Sequence, residues 1–591
     1  MPRSRGEPGV DPRSRLLLGL AAVAVAFAAA DTYVVVLALP DMMAAAGLSS
    51  EQLQRAAPLI SGFLLGYVGA LPLIGRIADL RGRTPVLVGS LVVFAIGSLV
   101  TAAAYDLPSM VTGRFVQGVG GGGLVPATLA LVADLWPVER RGLPLGVVGA
   151  VQELGSVLGP LFGAVVLALA DWRAIFWINL AVSLALTAAL VTATSAPAAD
   201  LPGAAGETAT PPHRFRPDWP GAVLAVVALL ALATVLRQPD AMVTDVSLGR
   251  AFLPVAGDSR WLSPLAFAVY VLLVAFGVRQ LTARRPLLAW REWGATLDQT
   301  DLLGGLLLAT ALAGVIVAFA SADPEVAALS AGGGWWLLVG VLGAAAFARR
   351  QLTSSHPLVP RGSLHALGAR GAVVVSFLVG AALIAALVDI PFFARLTVYG
   401  DSQLDAALVL VRFLAALPVG AVVGGLLTRR FAVGPLTAVG MGLAVAGFVW
   451  MAAWDADALR SPLATVPLVL AGLGFGLALA PVNAALLALT ARDVHGIASA
   501  LLVVARMVGM LVGISVLTTL GLRRFYAVAE EIPPVAELCP DDPTSCPAFG
   551  EALRLAGLEQ LEVVFLGAAT CAGLAGALAL VVFGGVPRPG R

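Results

Sequence analysis

The chain has 591 residues, which at roughly 150 per domain would suggest about four soluble domains. Composition excludes that reading. Hydrophobic residues make up 59%, charged residues only 12%, and mean hydropathy is +0.92, whereas a soluble chain carries about 25% charge. A net charge of +1 leaves no basic excess for a nucleic-acid partner, and three Cys build neither a disulfide scaffold nor a metal site.

A bilayer core of about 30 Å needs about 20 apolar residues per helix. Such spans are predicted near 16–39, 56–75, 85–104, 108–133, 143–169, 174–194, 219–236, 262–280, 301–320, 333–348, 371–394, 405–427, 433–453, 463–489, 497–521 and 560–584, about sixteen in all. Arg3, Arg5, Arg13 and Arg15 ahead of the first run resemble a signal peptide, but the run continues past Asp31 to Leu39, too long for a cleaved apolar region. A retained first helix is expected. The basic residues are all Arg, and most cluster in alternate loops: Arg76/Arg81/Arg83, Arg140/Arg141, Arg214/Arg216, Arg279/Arg284/Arg285, Arg349/Arg350 and Arg429/Arg430. Basic loops stay cytoplasmic, so both termini are expected in the cytoplasm, in a bacterial inner membrane. The four His (213, 356, 365 and 495) fall in the same loops.

Two levels of repetition follow. Arg279-Gln-Leu-Thr-Ala-Arg-Arg-Pro286-Leu-Leu288 returns as Arg350-Gln-Leu-Thr-Ser-Ser-His-Pro357-Leu-Val359, and each lies downstream of a helix pair opening with Asp218-Trp-Pro-Gly221 or Asp301-Leu-Leu-Gly304. A duplicated two-helix hairpin inserted mid-chain explains this. The chain then divides into a six-helix bundle (1–194), a linker with inserted helices (195–370) and a second six-helix bundle (371–591) with an outside loop at 522–559. More weakly, Gly75-Arg-Ile-Ala-Asp79-Leu-Arg81-Gly82-Arg83 after the second helix matches Gly424-Gly-Leu-Leu-Thr428-Arg429-Arg430 in the last half. Parallel repeats of this kind typify secondary transporters with a site between the halves.

Four motifs now resemble the major facilitator superfamily, in its drug:proton antiporter branch of usually fourteen helices. They are Asp31-Thr32 with Leu37-Ala38-Leu39-Pro40, the loop Gly75 to Arg83, Arg114-Phe-Val-Gln117-Gly118, and Gly155-Ser-Val-Leu-Gly159-Pro160-Leu-Phe-Gly163. The loop departs from the branch pattern at Leu80 and Thr84, and Ala164 replaces a final Gly. Asp389-Ile-Pro-Phe-Phe-Ala-Arg395, Arg412-Phe-Leu and Ala505-Arg506-Met-Val-Gly509 are similar to the mycobacterial triacylglyceride and multidrug efflux transporters. The resemblance implies two bundles rocking about a midplane cavity, with no cofactor and the proton gradient as energy source. Cargo is expected to be lipophilic small molecules or lipids, with protons moving oppositely.

The charges inside helices are the candidate machinery. Asp31 falls mid-helix, where an ionised carboxylate costs at least a few kcal/mol, so it is a candidate proton carrier or a carboxylate held by a neighbouring helix. Glu153 precedes the small face Gly155, Gly159, Gly163, beside which helices approach closely. An inter-bundle ion pair of Glu153 with Arg412 is expected, with Arg506 as the competing partner. Arg114 and Gln117 share one face three residues apart. Arg114 either couples protons or forms a fixed salt bridge to Asp31. Gln117 and Asp389 are secondary candidates, the latter marking the outer end of its helix as an alternative. Gly75, Asp79, Arg81, Gly82 and Arg83 form a candidate conformational latch. Pro160 removes a backbone hydrogen bond and bends its helix, either passively or as a hinge.

In the outside loop, Cys539 and Cys546 face an oxidising compartment and are expected to form a disulfide. The flanks 523–531 and 549–561 can continue the last two helices beyond the bilayer, guiding a lipid or receiving a periplasmic lipoprotein, or serve as an ordinary connector. A lipid-modifying membrane enzyme needs a catalytic constellation, yet neither His-Glu-x-x-His nor Gly-x-Ser-x-Gly occurs. A sensor needs a soluble regulatory domain, and none is evident.

Overall fold

The computed structural model describes residues 12–48, 56, 58–195, 218–283, 286–287, 290–320, 332–399, 402–539 and 546–584. Because bilayer-spanning backbone must satisfy its own hydrogen bonds, each apolar run closes into a helix. The N-terminal half comprises α1 (Pro12–Ala45), α2 (Pro58–Arg81), α3 (Arg83–Ala103), α4 (Leu107–Leu135), α5 (Gly142–Leu169) and α6 (Arg173–Ser195). Between the halves lie α7 (Trp219–Arg237), α8 (Pro264–Thr282), α9 (Trp290–Thr300), α10 (Leu302–Ala320) and α11 (Gly333–Thr353). The C-terminal half comprises α12 (Leu367–Leu396), α13 (Gln403–Leu427), α14 (Val433–Ala452), α15 (Thr465–Leu489), α16 (His495–Ala529) and α17 (Pro547–Val582). The fold is an all-α polytopic membrane protein. Among the described residues, every predicted span forms a long helix.

Local chemistry explains the sharpest boundary. Asp106 caps α4 by accepting from the Ser109 N–H at 2.9 Å while the Ser109 hydroxyl accepts from the Asp106 N–H at 3.3 Å. Within α4, the small faces of Gly118 and Gly122 let the α2 backbone at Phe63 and Tyr67 lie directly against the helix, and Gly120 does the same for α3 at Phe94. Each glycine weakens a helix interior by about 0.5–1 kcal/mol, a loss offset here by close packing on both sides.

The inserted helices form two pairs, α7 with α8 and α10 with α11. Each is clasped by the same ion pair. Arg279 Nη2 donates to Asp218 Oδ1 at 2.7 Å, and Arg350 Nε donates to Asp301 Oδ1 at 2.9 Å. Hydrogen bonding to Arg279 holds the Asp218 carboxyl below the usual carboxylate range. The second pair packs on α2 and α16, and the first touches α3.

One departure from the expected spans has a physical cause. The 11-residue α9 was not among the predicted spans, because it is amphipathic and too short to cross a bilayer. It lies against α2, where the Arg81 guanidinium sits 5.2 Å over the Trp293 ring. The last two helices run past the spans 497–521 and 560–584 into the flanks at 523–531 and 549–561, the continuation the sequence allowed. At 35 and 36 residues they run about 50 Å, beyond a hydrocarbon core of about 30 Å. Arg524 of α16 and Glu559 of α17 form an ion pair.

Past these extensions, Cys539 and Cys546 are joined by a disulfide. Residues 540–545 between them lie outside the described residues. Replacing both Cys with Ser is expected to cost about 2–3 kcal/mol locally. Limited proteolysis should then cut the connector faster while the rest of the chain keeps its resistance.

Candidate functional site

The most buried polar group in the N-terminal half is assembled from four helices. Asp31 of α1 is 1% exposed, as is Arg114 of α4. Arg114 Nη1 donates to Asp31 Oδ2 at 2.5 Å and to Gln117 Oε1 at 2.6 Å. Asp31 Oδ1 accepts from Gln117 Nε2 at 3.0 Å and from Asn179 Nδ2 of α6 at 2.5 Å. Gln117 also donates to Ser98 Oγ of α3 at 3.0 Å, and Ser98 passes the chain to the Phe94 carbonyl at 2.8 Å. The guanidinium lies 4.4 Å from the Phe63 ring centroid and 5.7 Å from that of Phe176. Charge, polar partners and aromatic faces thus close around one buried cation. Asp31 occupies this position because Gly155 and Gly159 of α5 lie directly on the α1 backbone at Ala26 and Ala30. Gly163 is also buried. Pro160 lies within α5, and its side chain is outside the described residues.

Glu153, 9% exposed, lies on α5 two residues before the first of these glycines. The cation nearest in charge to it is Arg506 of α16. Beside them Gln152, Gly149, Ser376, Asn483 and Arg506 line a partly open cavity between the halves. The expected Glu153–Arg412 pair is not formed in this conformation. Arg412 Nη1 instead donates to Thr465 Oγ1 at 3.1 Å within the C-terminal half. Arg506, the competing partner, lines the cavity beside Glu153, and among the described residues no ion pair or hydrogen bond joins the two.

The halves close on each other at the end carrying Asp79. Its carboxylate accepts from the first N–H groups of α16, Gly496 at 2.7 Å and Ile497 at 3.0 Å, where the helix dipole favours an anion. Arg83 donates to Asp79 Oδ1 at 3.2 Å and to the Arg492 carbonyl at 2.7 Å, and its Nε lies 3.2 Å from Asp134. Gly82 between the helices has φ +91°, a conformation that only Gly adopts without strain. Gly75 lies on the Gly496 carbonyl, and Gly142 and Gly146 of α5 lie on Gly425 of α13. At the opposite end, Leu158, Val165 and Leu169 of α5 are exposed, as are Phe392 of α12, Leu408 of α13 and Val516 of α16. The two halves are in direct contact at the Asp79 end.

Comparison with known proteins decides the family. A sequence model of the Major Facilitator Superfamily matches residues 21–355. The chain belongs to this superfamily. It is 36% identical to the "Triacylglyceride transporter" of Mycolicibacterium hassiacum, over 90% of this chain and 84% of that protein. It is 33% identical to the "Triacylglyceride transporter" of Mycobacteroides abscessus, over 89% of this chain and 86% of that protein. Among solved structures, the human organic anion transporter MFSD10 superposes with a TM-score of 0.52 at 15% identity, covering 96% of this chain and all of that one, a likeness of fold alone. The chain is therefore a membrane transporter of the major facilitator type.

Three residues of the buried network escaped the sequence reading: Asn179, Ser98 and Phe63. A signal existed for the first, since Asn179 and Asn483 are the chain's only Asn and both fall inside apolar spans. Both border the polar sites, Asn179 on Asp31 and Asn483 on the cavity.

Proposed function

We propose that this transporter exports neutral lipids of the triacylglyceride type by alternating access, driven by inward proton flow. The observation that carries the reading is the identity of a third or more, over almost the whole chain, with relatives named triacylglyceride transporters. The apolar character of the helices is compatible with such cargo, which brings no charge of its own to be neutralised. With the Arg-rich loops, the Asp79 end and both termini assigned to the cytoplasm of a bacterial inner membrane, the conformation described is closed on the cytoplasmic side. Glu153 carries the proton. Protonated, it releases Arg506, and the two bundles part at the cytoplasmic end. The Asp31–Arg114 network keeps the N-terminal bundle rigid as it rocks and relays its strain to α5 through Gly155 and Gly159. Asp79 with Gly75, Arg81, Gly82 and Arg83 forms the latch that holds the cytoplasmic end shut. The helical extensions of α16 and α17 guide lipid from the outer leaflet toward a periplasmic lipoprotein. Multidrug efflux by the same route remains the alternative cargo class, favoured by the motif resemblance of residues 31–163.

Glu153→Gln mimics the protonated acid permanently. It should abolish proton-driven export while leaving exchange of substrate across an unenergised membrane, read with a fluorescent triacylglyceride in proteoliposomes. Export equal to the parent's removes Glu153 from the coupling role.

A further inference from the structure

Each half opens with a helix that carries one acid deep in its length: Asp31 in α1 and Asp389 in α12. Their surroundings differ in kind. Asp31 has its charge balanced by Arg114 and accepts two further hydrogen bonds from Asn179 and Gln117. Asp389 is 8% exposed and, among the described residues, has neither an ion pair nor a hydrogen bond. Its neighbours along α12 (Ala385, Ala386, Ile390 and Phe393) are all buried in the C-terminal core. Asp389 is followed by Pro391, yet the helix runs on to Leu396, so the acid does not mark a helix end.

No cation on the packed elements is free to balance it. The helices against α12 are α13, α15, α16 and α17. On α13, Asp405 is exposed and Arg412 is engaged by Thr465. α15 contains no charged residue. On α16, the Arg506 backbone lies against Gly380, nine residues along α12 from Asp389, and Arg506 is the cation acting on Glu153. Arg523 is exposed, and Arg524 pairs with Glu559 of α17. On α17, Glu562 is exposed, while Glu551 and Arg554 pair with each other. Arg395, on α12 itself, lies six residues further toward the helix end.

An ionised carboxylate in apolar surroundings without a cation or donors is unstable, so the group is neutral whenever water is shut away. It can be ionised only while the bundle opens it to water. That is the behaviour required of a carrier: protonated through the change of access, deprotonated on release. We propose that Asp389 is a second proton-carrying residue of the transport cycle, in the C-terminal half, separate from Glu153 and unlike the permanently paired Asp31. One proton binds a carboxylate oxygen on one side of the membrane and leaves the neutral acid on the other. The inference rests on the proton-driven reading above.

The test is the steady-state accumulation of a fluorescent triacylglyceride by the full chain in proteoliposomes, under an imposed potential. With neutral cargo, each proton carried multiplies the limiting concentration ratio by about 50-fold at 100 mV. Asp389→Asn should lower that limiting ratio by about this factor and be rescued by Asp389→Glu. A structural role would slow the approach to the limit without moving it. A parent that responds to the gradient together with an Asp389→Asn variant reaching the parent's ratio overturns the inference alone. A parent indifferent to the gradient overturns both this and the proton-driven reading.

Discussion

Arg114→Ala is expected to be the most destabilising single change in the chain. It removes the cation from Asp31 Oδ2 and leaves an anion that is 1% exposed and held only by Asn179 and Gln117. Breaking one side of such a pair costs about 3–5 kcal/mol. The cost arises from the orphaned charge, so removing both charges together should restore part of it. Asp31→Asn with Arg114→Gln is therefore expected to melt closer to the parent than Arg114→Ala alone. Thermal unfolding in detergent of both singles and the double gives the coupling directly. A double variant as unstable as the sum of the singles would mean that the two groups do not act as a pair.

Gly425→Val should have the second large effect, on conformation more than on folding. A Cβ at Gly425 meets the Gly142 backbone carbonyl and lies 3.2 Å from Gly146 Cα, across the boundary between halves. Backbone on the far side cannot rotate away as a side chain can. The overpacking penalty of about 1–3 kcal/mol therefore falls only on the state closed at this end. Such a bias shifts the population between states by roughly 5–150-fold toward opening there. Spin labels at Val138 and Phe431, both exposed at this end, report it in a Cys571→Ala background. The expected result is a longer dominant distance in Gly425→Val, accompanied by loss of transport. An unchanged distance distribution would show that this glycine contact does not govern closure.

Much of this architecture is legible in the residues because hydropathy and helix length are governed by the same bilayer thickness. The charges inside spans identified Asp31, Arg114, Glu153, Asp389, Arg412 and Arg506 without any structure. Which of them meet is a different matter. Whether Glu153 faces Arg412 or Arg506 depends on the rotation of α5, α13 and α16 about their axes, and one-dimensional spacing carries no such information. The polar flanks at 523–531 and 549–561 lie outside any apolar window, yet their adjacency to the last two spans already allowed the helical continuation that α16 and α17 show. Asn179 was overlooked for a related reason. A single amide on an apolar helix has no periodicity, and its role appears only when α6 is laid beside α1.

The central claim is that proton movement through Glu153 and the rocking of the two halves drives lipid export. Uptake of a fluorescent triacylglyceride into inverted membrane vesicles, with and without collapse of the proton gradient, tests it most directly. The account predicts accumulation in the parent that vanishes on adding an uncoupler and is strongly reduced in Glu153→Gln. Accumulation that persists at full extent after the gradient is collapsed would contradict it.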